Sequence, residues 1–361
     1  MATPSPLFDS FYSMVKLATV RLFVEKDIFQ AIPPEGISLA QLSENVKVDL
    51  NLLSRLSNFL LAAGILAPTS SSTTPQTQNI RLSPDYELFR NPRVAPMYSY
   101  LFDTFLASTV KWPEYFTKNG FREPELATAC PFGLAAGYPD KTFYQVLESQ
   151  PDRAAAFNSA MAMAVPEIPI TGIYEFAWIA EHAGSPGSES RTLIVDVGGG
   201  MGQALRAILE AYPAIPAARC VLEDQAPMIR QATERMAQGD ILKEVQMLSH
   251  SFFTEQPVKG ALVYYIRRVL NDWSDSECVI ILQHIRDACA GDSHVLISES
   301  LLAGEPTMLA AGVDLFMMNV GGKRRTEGMF AALAEQAGFK IQAVYRDSGD
   351  FDNAVIQLEP V

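Results

Sequence analysis

From residue 192 onward, short apolar runs alternate with segments of helical period, and the first run leads into a glycine cluster, Val195-Asp196-Val197-Gly198-Gly199-Gly200-Met201-Gly202. Nothing else in the chain restricts the fold as much. Runs at 193–197, 218–222, 246–248, 261–266 and 293–299 read as strands, and helical periods at 202–211, 226–238, 276–290 and 328–337 separate them. Alternation of this kind makes a doubly wound α/β sheet, Rossmann-like in layout. Two last runs, 339–346 and 353–359, are expected to close it as a hairpin. Glycines at the carboxyl end of a strand let the backbone approach a ligand, and the next helix offers free N–H groups. Taken alone, that turn suits a dinucleotide as well as other nucleoside cofactors.

Ahead of the alternation the chain reads differently. Residues 7–31 have helical spacing, with Phe8, Phe11, Tyr12, Val15, Leu22 and Phe23 among the apolar positions. Ser38 is placed to cap a helix over 39–44, Asp49-Leu50-Asn51 to turn, and 52–63 to form a second helix ended by Gly64. The stretch 68–78, rich in Ser, Thr, Pro and Gln, reads as an exposed hairpin loop before a return strand at 81–83. Two helices and a hairpin make a winged-helix pattern. The second helix carries one basic residue, Arg55, and is too apolar to enter a DNA groove, so packing or dimerisation fits it better. Residues 96–180 are rich in aromatics and methionine, including Tyr144, Phe157 and Met161. Most of these belong to ordinary core, and a soft lining also suits a pocket for a flat hydrophobic ligand. Residues 184–190 read as a linker. Three segments follow, 1–95, 96–185 and 186–361.

Composition removes other classes. The formal net charge of −13 opposes binding to nucleic acid or an anionic membrane surface. No apolar run approaches the ~20 residues that span a bilayer. The N-terminus lacks a secretory pattern, and the four cysteines form no CxxC pair, so no metal site is expected and a soluble cytoplasmic protein is.

Two acidic sites accompany the glycine turn. Asp196 ends the first strand and Glu223-Asp224 ends the second, where a carboxylate can accept both hydroxyls of a ribose. Downstream lies Tyr264-Tyr265-Ile266-Arg267-Arg268-Val269-Leu270-Asn271-Asp272-Trp273, then Glu299 at a strand end, then Gly321-Gly322-Lys323-Arg324-Arg325-Thr326-Glu327. These segments together resemble the S-adenosylmethionine (SAM) dependent small-molecule O-methyltransferases of plants and fungi. That resemblance favours SAM over NAD and implies an N-terminal homodimer module. It also implies cofactor contacts at Asp196, Gly198, Gly199, Gly200, Glu223, Asp224, Ser251, Phe252, Arg267 and Trp273, with Asp224 the ribose ligand. Substrate contacts are implied at Phe157, Met161, Met317 and Met318.

Two positions depart from the family. Ser251 stands where an Asp normally meets the adenine amino group. Asn271 stands where a histidine normally deprotonates the substrate hydroxyl, while Glu299 and Glu327 match the acids that orient that histidine. A positioned base contributes ~10²–10⁴ in rate, and an amide cannot supply it. None of the four histidines, His182, His250, His284 and His294, is an evident substitute, His250 being the one nearest a motif. The departure resembles the fungal O-methyltransferase-like pericyclases of the leporin and pyridone-alkaloid type. There SAM serves as a bound charge, and a polyketide alcohol is dehydrated and cyclised by an Alder-ene or hetero-Diels–Alder step. Asn271, Asp272 and Lys323 are the candidates for that work. The alternative is an O-methyltransferase working by proximity, on a hydroxyl that is already acidic or with Glu299 taking the proton through a water.

Overall fold

In the computed structural model, which describes residues 6–69, 74, 78–164, 169–236, 239–302, 304–305, 307–347 and 352–361, Ser38 and Asp49 each open a helix as N-cap. Ser38 Oγ accepts from Gln41 N at 3.2 Å, and Asp49 Oδ1 accepts from Leu52 N at 2.9 Å. The helices run Leu39–Val46 and Leu50–Ala62, so the expected turn at Asp49 is the cap itself. Gly64 follows with φ 74°, a left-handed conformation that stops the second helix. The chain divides into two compact units, Met1–Leu106 with Gln150–Met163 and Ala107–Ser149 with Ala164–Val361.

The first unit holds those two helices, an opening helix Pro6–Glu25, and a small antiparallel sheet. Its strands are β1 (Ile37–Ser38), β2 (Leu66–Pro68) and β3 (Asn79–Leu82), in the order β1-β3-β2. The opening helix ends six residues before the expected position. Asp27 turns left-handed at φ 53°, and Ile28 N folds back onto Phe23 O at 2.8 Å. The loop expected at 68–78 falls largely outside the described residues. Phe23, Phe29, Leu42, Leu53, Leu60 and Ile80 form the core of this unit.

The second unit is built on seven strands: β4 (Ile194–Val197), β5 (Cys220–Asp224), β6 (Gln246–Ser249), β7 (Val263–Arg267), β8 (His294–Ser300), β9 (Phe339–Arg346) and β10 (Asn353–Pro360). They lie in the order β6-β5-β4-β7-β8-β10-β9. The first five in that order are parallel. β10 runs antiparallel to both β8 and β9, so the closing hairpin makes the sheet mixed. Period-2 alternation gives each strand an apolar side chain on both faces. Val195, Tyr264 and Ile266 join one core, while Ile194, Tyr265 and Leu296 join the other.

Strand order reverses at β4, which pairs with β5 on one side and β7 on the other. Ligands of open α/β sheets bind in the crevice beyond the carboxyl ends at such a switch. The glycine cluster and the Asn271 loop both follow those ends.

Residues 184–190 are a stapled turn rather than a loose linker. Ser188 is buried, and its Oγ donates towards His182 O and Ser185 O at 2.9 and 2.8 Å. Arg219 donates to Ala183 O and Arg191 O at 3.0 Å each, closing the turn from the start of β5. Among the described residues, no helix is long and apolar enough to cross a membrane.

Candidate active site

The glycine turn is shaped by what lies beneath it. A Cβ on Gly199 would sit 2.4 Å from Leu222 Cδ1 and 2.5 Å from Asp196 Oδ2, so no side chain fits there. Gly198, Gly200 and Gly202 have φ of 68°, 60° and 75°, the left-handed region that favours glycine. Phe252 closes the other side, with Cε1 3.3 Å from a Cβ placed on Gly198. Asp224 reaches the turn and accepts from Gly200 N at 2.8 Å. Its carboxyl is pushed above the usual aspartate range by burial, against the pull of the Gly200 and Gln225 N–H groups.

Asp196 lies 1 % exposed under the turn, and neither carboxyl oxygen has a well-formed hydrogen bond among the described residues, although the Leu205 N–H pulls its proton affinity down. Burial pushes it to about 7, opposed by the charge of Arg267. Unpaired buried oxygens are costly and point to a partner absent from the free protein.

Of the acidic pair on β5, Asp224 meets this turn with its side chain, whereas Glu223 meets it with its backbone, its carbonyl accepting from Gly199 N at 3.0 Å. Glu223 is one residue earlier and therefore faces the opposite side of the sheet. There it is buried, its Oε2 accepts from Gln256 Nε2 at 2.8 Å, and desolvation raises it to about 7. Strand alternation thus places the side chains of two adjacent acids on opposite faces of the sheet.

The reactive loop follows β7. Leu270–Asp272 is one 3-10 turn, after which Ser274 caps the helix Asp275–Arg286 with a reciprocal bond to Glu277. Asn271 N donates to Glu299 Oε1 at 3.3 Å, and Asp272 Oδ2 accepts from Tyr144 OH at 2.6 Å. Glu299 is 3 % exposed, and burial together with the Asp272 charge raises it to about 7, against the pull of Arg268. Asp272 is raised to about 6 by burial, against the Tyr144 hydrogen bond and Arg268. Trp273 is packed by Phe253 at 4.7 Å, Phe252 at 5.7 Å and Tyr144 at 6.1 Å between ring centroids.

The Gly321-Gly322 turn braces this loop from behind. Lys323 N donates to Asn271 O at 2.9 Å, and a Cβ on Gly322 would fall 2.0 Å from that same oxygen. Arg325, 1 % exposed, donates to Leu270 O and Trp273 O at 2.7 Å each and to Asp275 at 2.8 Å.

The other sequence candidates have partners of their own. The Lys323 ammonium pairs with Asp275 at 2.8 Å and Glu123 at 3.1 Å. Glu327 is exposed and pairs with Arg346 at 2.7 Å, not with Arg267, Arg268 or Arg324. Arg267 ends β7 beside Ser298 of β8. Burial lowers its pKa, and the charges of Tyr265, Asp196 and Glu299 oppose that. Met317 O accepts from Gly322 N at 3.0 Å, and Met318 lines a cleft of about 290 Å³ with Leu302, Gly322 and Arg324. Phe157 and Met161 lie on Pro151–Ala164 of the first unit, where Phe157 meets Tyr100 at 5.5 Å. Ser251 follows β6, and its carbonyl accepts from Thr254 N at 2.9 Å.

Among the described residues, no histidine acts on Asp272 or Glu299. His250 is held by its backbone on Asp224 O at 2.9 Å, and burial lowers its pKa with a smaller push from His284. Sequence reasoning missed Gln256, Arg325 and the contact of Tyr144. Nothing local in the sequence marks Arg325 as the buried member of the Lys323-Arg324-Arg325 run, since its acceptors are backbone carbonyls 52 and 55 residues away.

The fold and site define a class: a nucleoside-cofactor enzyme whose glycine turn and Asp224 mark one end and whose Asn271 loop marks the other. An O-methyltransferase domain model matches residues 186–340. Methyltransferase fsa4 of Fusarium sp. (strain FN080326) is 50 % identical over 357 residues, covering 99 % of this chain and 96 % of its own length. The chain belongs to this O-methyltransferase family. A crystal structure of OxaC with S-adenosylhomocysteine and oxaline is similar at a TM-score of 0.86 and 25 % identity, covering 99 % of this chain and 88 % of OxaC. A structure described as a pericyclic reaction enzyme shares the fold at a TM-score of 0.80 and 22 % identity, covering 100 % of this chain and 91 % of that one. The cofactor is S-adenosyl-L-methionine. The residues present fit it: a close-approach glycine turn, Asp224 at the turn, and a buried Asp196 with unpaired oxygens.

Proposed function

We propose that this enzyme methylates an acidic heteroatom of a hydrophobic small molecule of fungal secondary metabolism, without an imidazole base. One observation carries the reading: the Asn271 N–H seats on Glu299, a buried carboxyl pushed to about 7. A base with that proton affinity is matched to neutral pH. Close relatives named methyltransferases, similar over nearly the whole chain, support it further. Asp224, Gly198, Gly199 and Gly200 would hold the nucleoside, with Phe252 and Trp273 packing beside it. When bound, SAM supplies an electrophilic methyl group. The Asn271 side chain can donate and accept, and so orients the acceptor oxygen or nitrogen. The acceptor's proton passes to Glu299, and its electron pair stays on the heteroatom that attacks.

A second reading draws on the same carboxyl. At neutral pH Glu299 also exists protonated, and a buried acid can protonate a leaving hydroxyl. That fits dehydration of a polyketide or pyridone alcohol followed by pericyclic closure, with Asn271 and Asp272 holding the carbonyl.

Incubating the purified protein with SAM and acceptors graded in acidity separates the two. Gain of one methyl group with matching S-adenosylhomocysteine is expected, faster for acceptors already ionised. Asn271→His should raise the rate on weakly acidic acceptors by ~10–10³. Loss of water or isomerisation without S-adenosylhomocysteine would replace the first reading by the second.

The homodimer and the winged-helix role of the N-terminal module belong to the same proposal. Leu7, Phe8, Phe11 and Met14 on Pro6–Glu25 are 76, 55, 51 and 64 % exposed, an apolar surface suited to a second copy. A monomer mass by light scattering would remove that part.

A further inference from the structure

Helix Phe143–Ser149 delivers one side chain, Tyr144, to the loop that carries Asn271. Its phenol donates to Asp272 Oδ2 at 2.6 Å, within the range of an O–H···O⁻ bond. Its ring stacks on Trp273 with centroids 6.1 Å apart and planes 27° from parallel. One side chain thus touches both residues that follow Asn271. Tyr144 also lies outside the segment 186–340 that matches the family model.

We propose that Tyr144 is a positioning residue that keeps Asp272 ionised, and through that charge makes Glu299 the group that accepts the substrate's proton. This rests on the methyl-transfer reading above. A donor that bonds the carboxylate better than the acid lowers its proton affinity. Two interacting carboxyls titrate as a pair, so an anion at Asp272 raises the affinity of Glu299. Besides Tyr144, the Arg268 charge faces Asp272. Arg268, the Asn271 N–H and Arg325 act on Glu299 beside Asp272. Arg268 favours ionisation of both acids, whereas Tyr144 bonds only one of them. The Asn271 N–H and Arg325 favour ionisation of Glu299 alone, so the phenol is the hydrogen bond that counters them at Asp272 and draws the proton of the singly ionised pair towards Glu299.

The test is Tyr144→Phe, which keeps the ring on Trp273 and removes only the donor. Carboxyl carbons of Asp and Glu are labelled and titrated by NMR in the free protein, with the two signals assigned by their loss in Asp272→Asn and Glu299→Gln. The Asp272 midpoint should rise by about one pH unit and the Glu299 midpoint should fall. With an acceptor, kcat should drop ~10-fold near pH 6.5 and less near pH 8, with KM and SAM affinity within about twofold of wild type. In Asp272→Asn the further change Tyr144→Phe should have no effect.

Unmoved midpoints in a folded Tyr144→Phe, or a kcat loss equal at all pH, would overturn the assignment. The titration needs no acceptor and no turnover. Moved midpoints without any methylated product would therefore uphold the Tyr144–Asp272 coupling and reject only the reaction assigned above.

Discussion

The two ends of the crevice are built on the same sheet edge but on different physics. After β4 and β5 the chain presents backbone: a turn in which only Met201 carries a side chain, with Asp224 on Gly200 N and Asp196 beneath. After β7 and β8 it presents side chains: Asn271, Asp272 and Glu299, held by Tyr144 and Arg325. A backbone cradle binds whatever fits its shape and tolerates little change. A side-chain cluster can lose its base and keep its frame. On the proposed reading, holding a cofactor and moving a proton are therefore separable, and a chain can preserve the first while the second is rewritten.

The sharpest way to break that separation is a pair of glycine substitutions. Gly199→Ala pushes a methyl group into Leu222 and Asp196, and should weaken SAM or S-adenosylhomocysteine binding by ~100-fold or more in calorimetry. Gly322→Ala drives into the Asn271 carbonyl and should cut kcat by ~100-fold or more. Cofactor affinity should then change less than about threefold. If either variant damages both properties equally, the two ends are not independent.

How each end reads in sequence follows the same division. The glycine turn and its strand were legible because a backbone cradle needs specific residue types at fixed spacing. The parallel strands were legible too, since buried β-strands are continuous apolar runs. The antiparallel placement of β10 between β8 and β9 was not, because pairing order leaves no local signal. The resemblance already singled out Asp224 over Glu223, and the strand register supplies the physical reason, since the two side chains take opposite faces. At the reactive end the loss of the histidine was plain from one triplet. What replaces its function was not, because Tyr144 is 128 residues from Asp272 in the chain and its contact is purely tertiary. Glu327 shows the opposite failure, a motif residue whose carboxylate is taken by Arg346.

A milder effect should appear in stability against pH, and both ends contribute to it. Asp196, Glu223 and Glu299 are raised to about 7 and Asp272 to about 6, from ordinary values of 3.8 for Asp and 4.5 for Glu. The folded protein then binds more protons than the unfolded chain between those limits. Stability falls as pH rises through that window and levels off above it. The free protein should melt several degrees higher near pH 5.5 than near pH 8 by calorimetry. Asp196→Asn at one end and Glu299→Gln at the other should each flatten part of that slope. A slope that survives both changes would mean that Glu223, Asp272 or the net charge of −13 dominates it.

The smallest change is expected at Ser251, where the cofactor end itself departs from its family. Ser251 is partly buried after β6, next to Phe252, which packs against both the glycine turn and Trp273. A hydroxyl can accept one hydrogen bond from an amino group, whereas a carboxylate makes the shorter, charge-assisted kind worth roughly 1–2 kcal/mol more. Part of that gain is lost to desolvation and to repulsion from the other acids of the unit, so Ser251→Asp should tighten SAM about three- to tenfold. S-adenosylhomocysteine should gain by a similar factor, since it carries the same adenine. The kcat on a saturating acceptor should not move. A gain confined to SAM would place the new charge near the sulfonium instead, and a change in kcat would tie Ser251 to the reactive end.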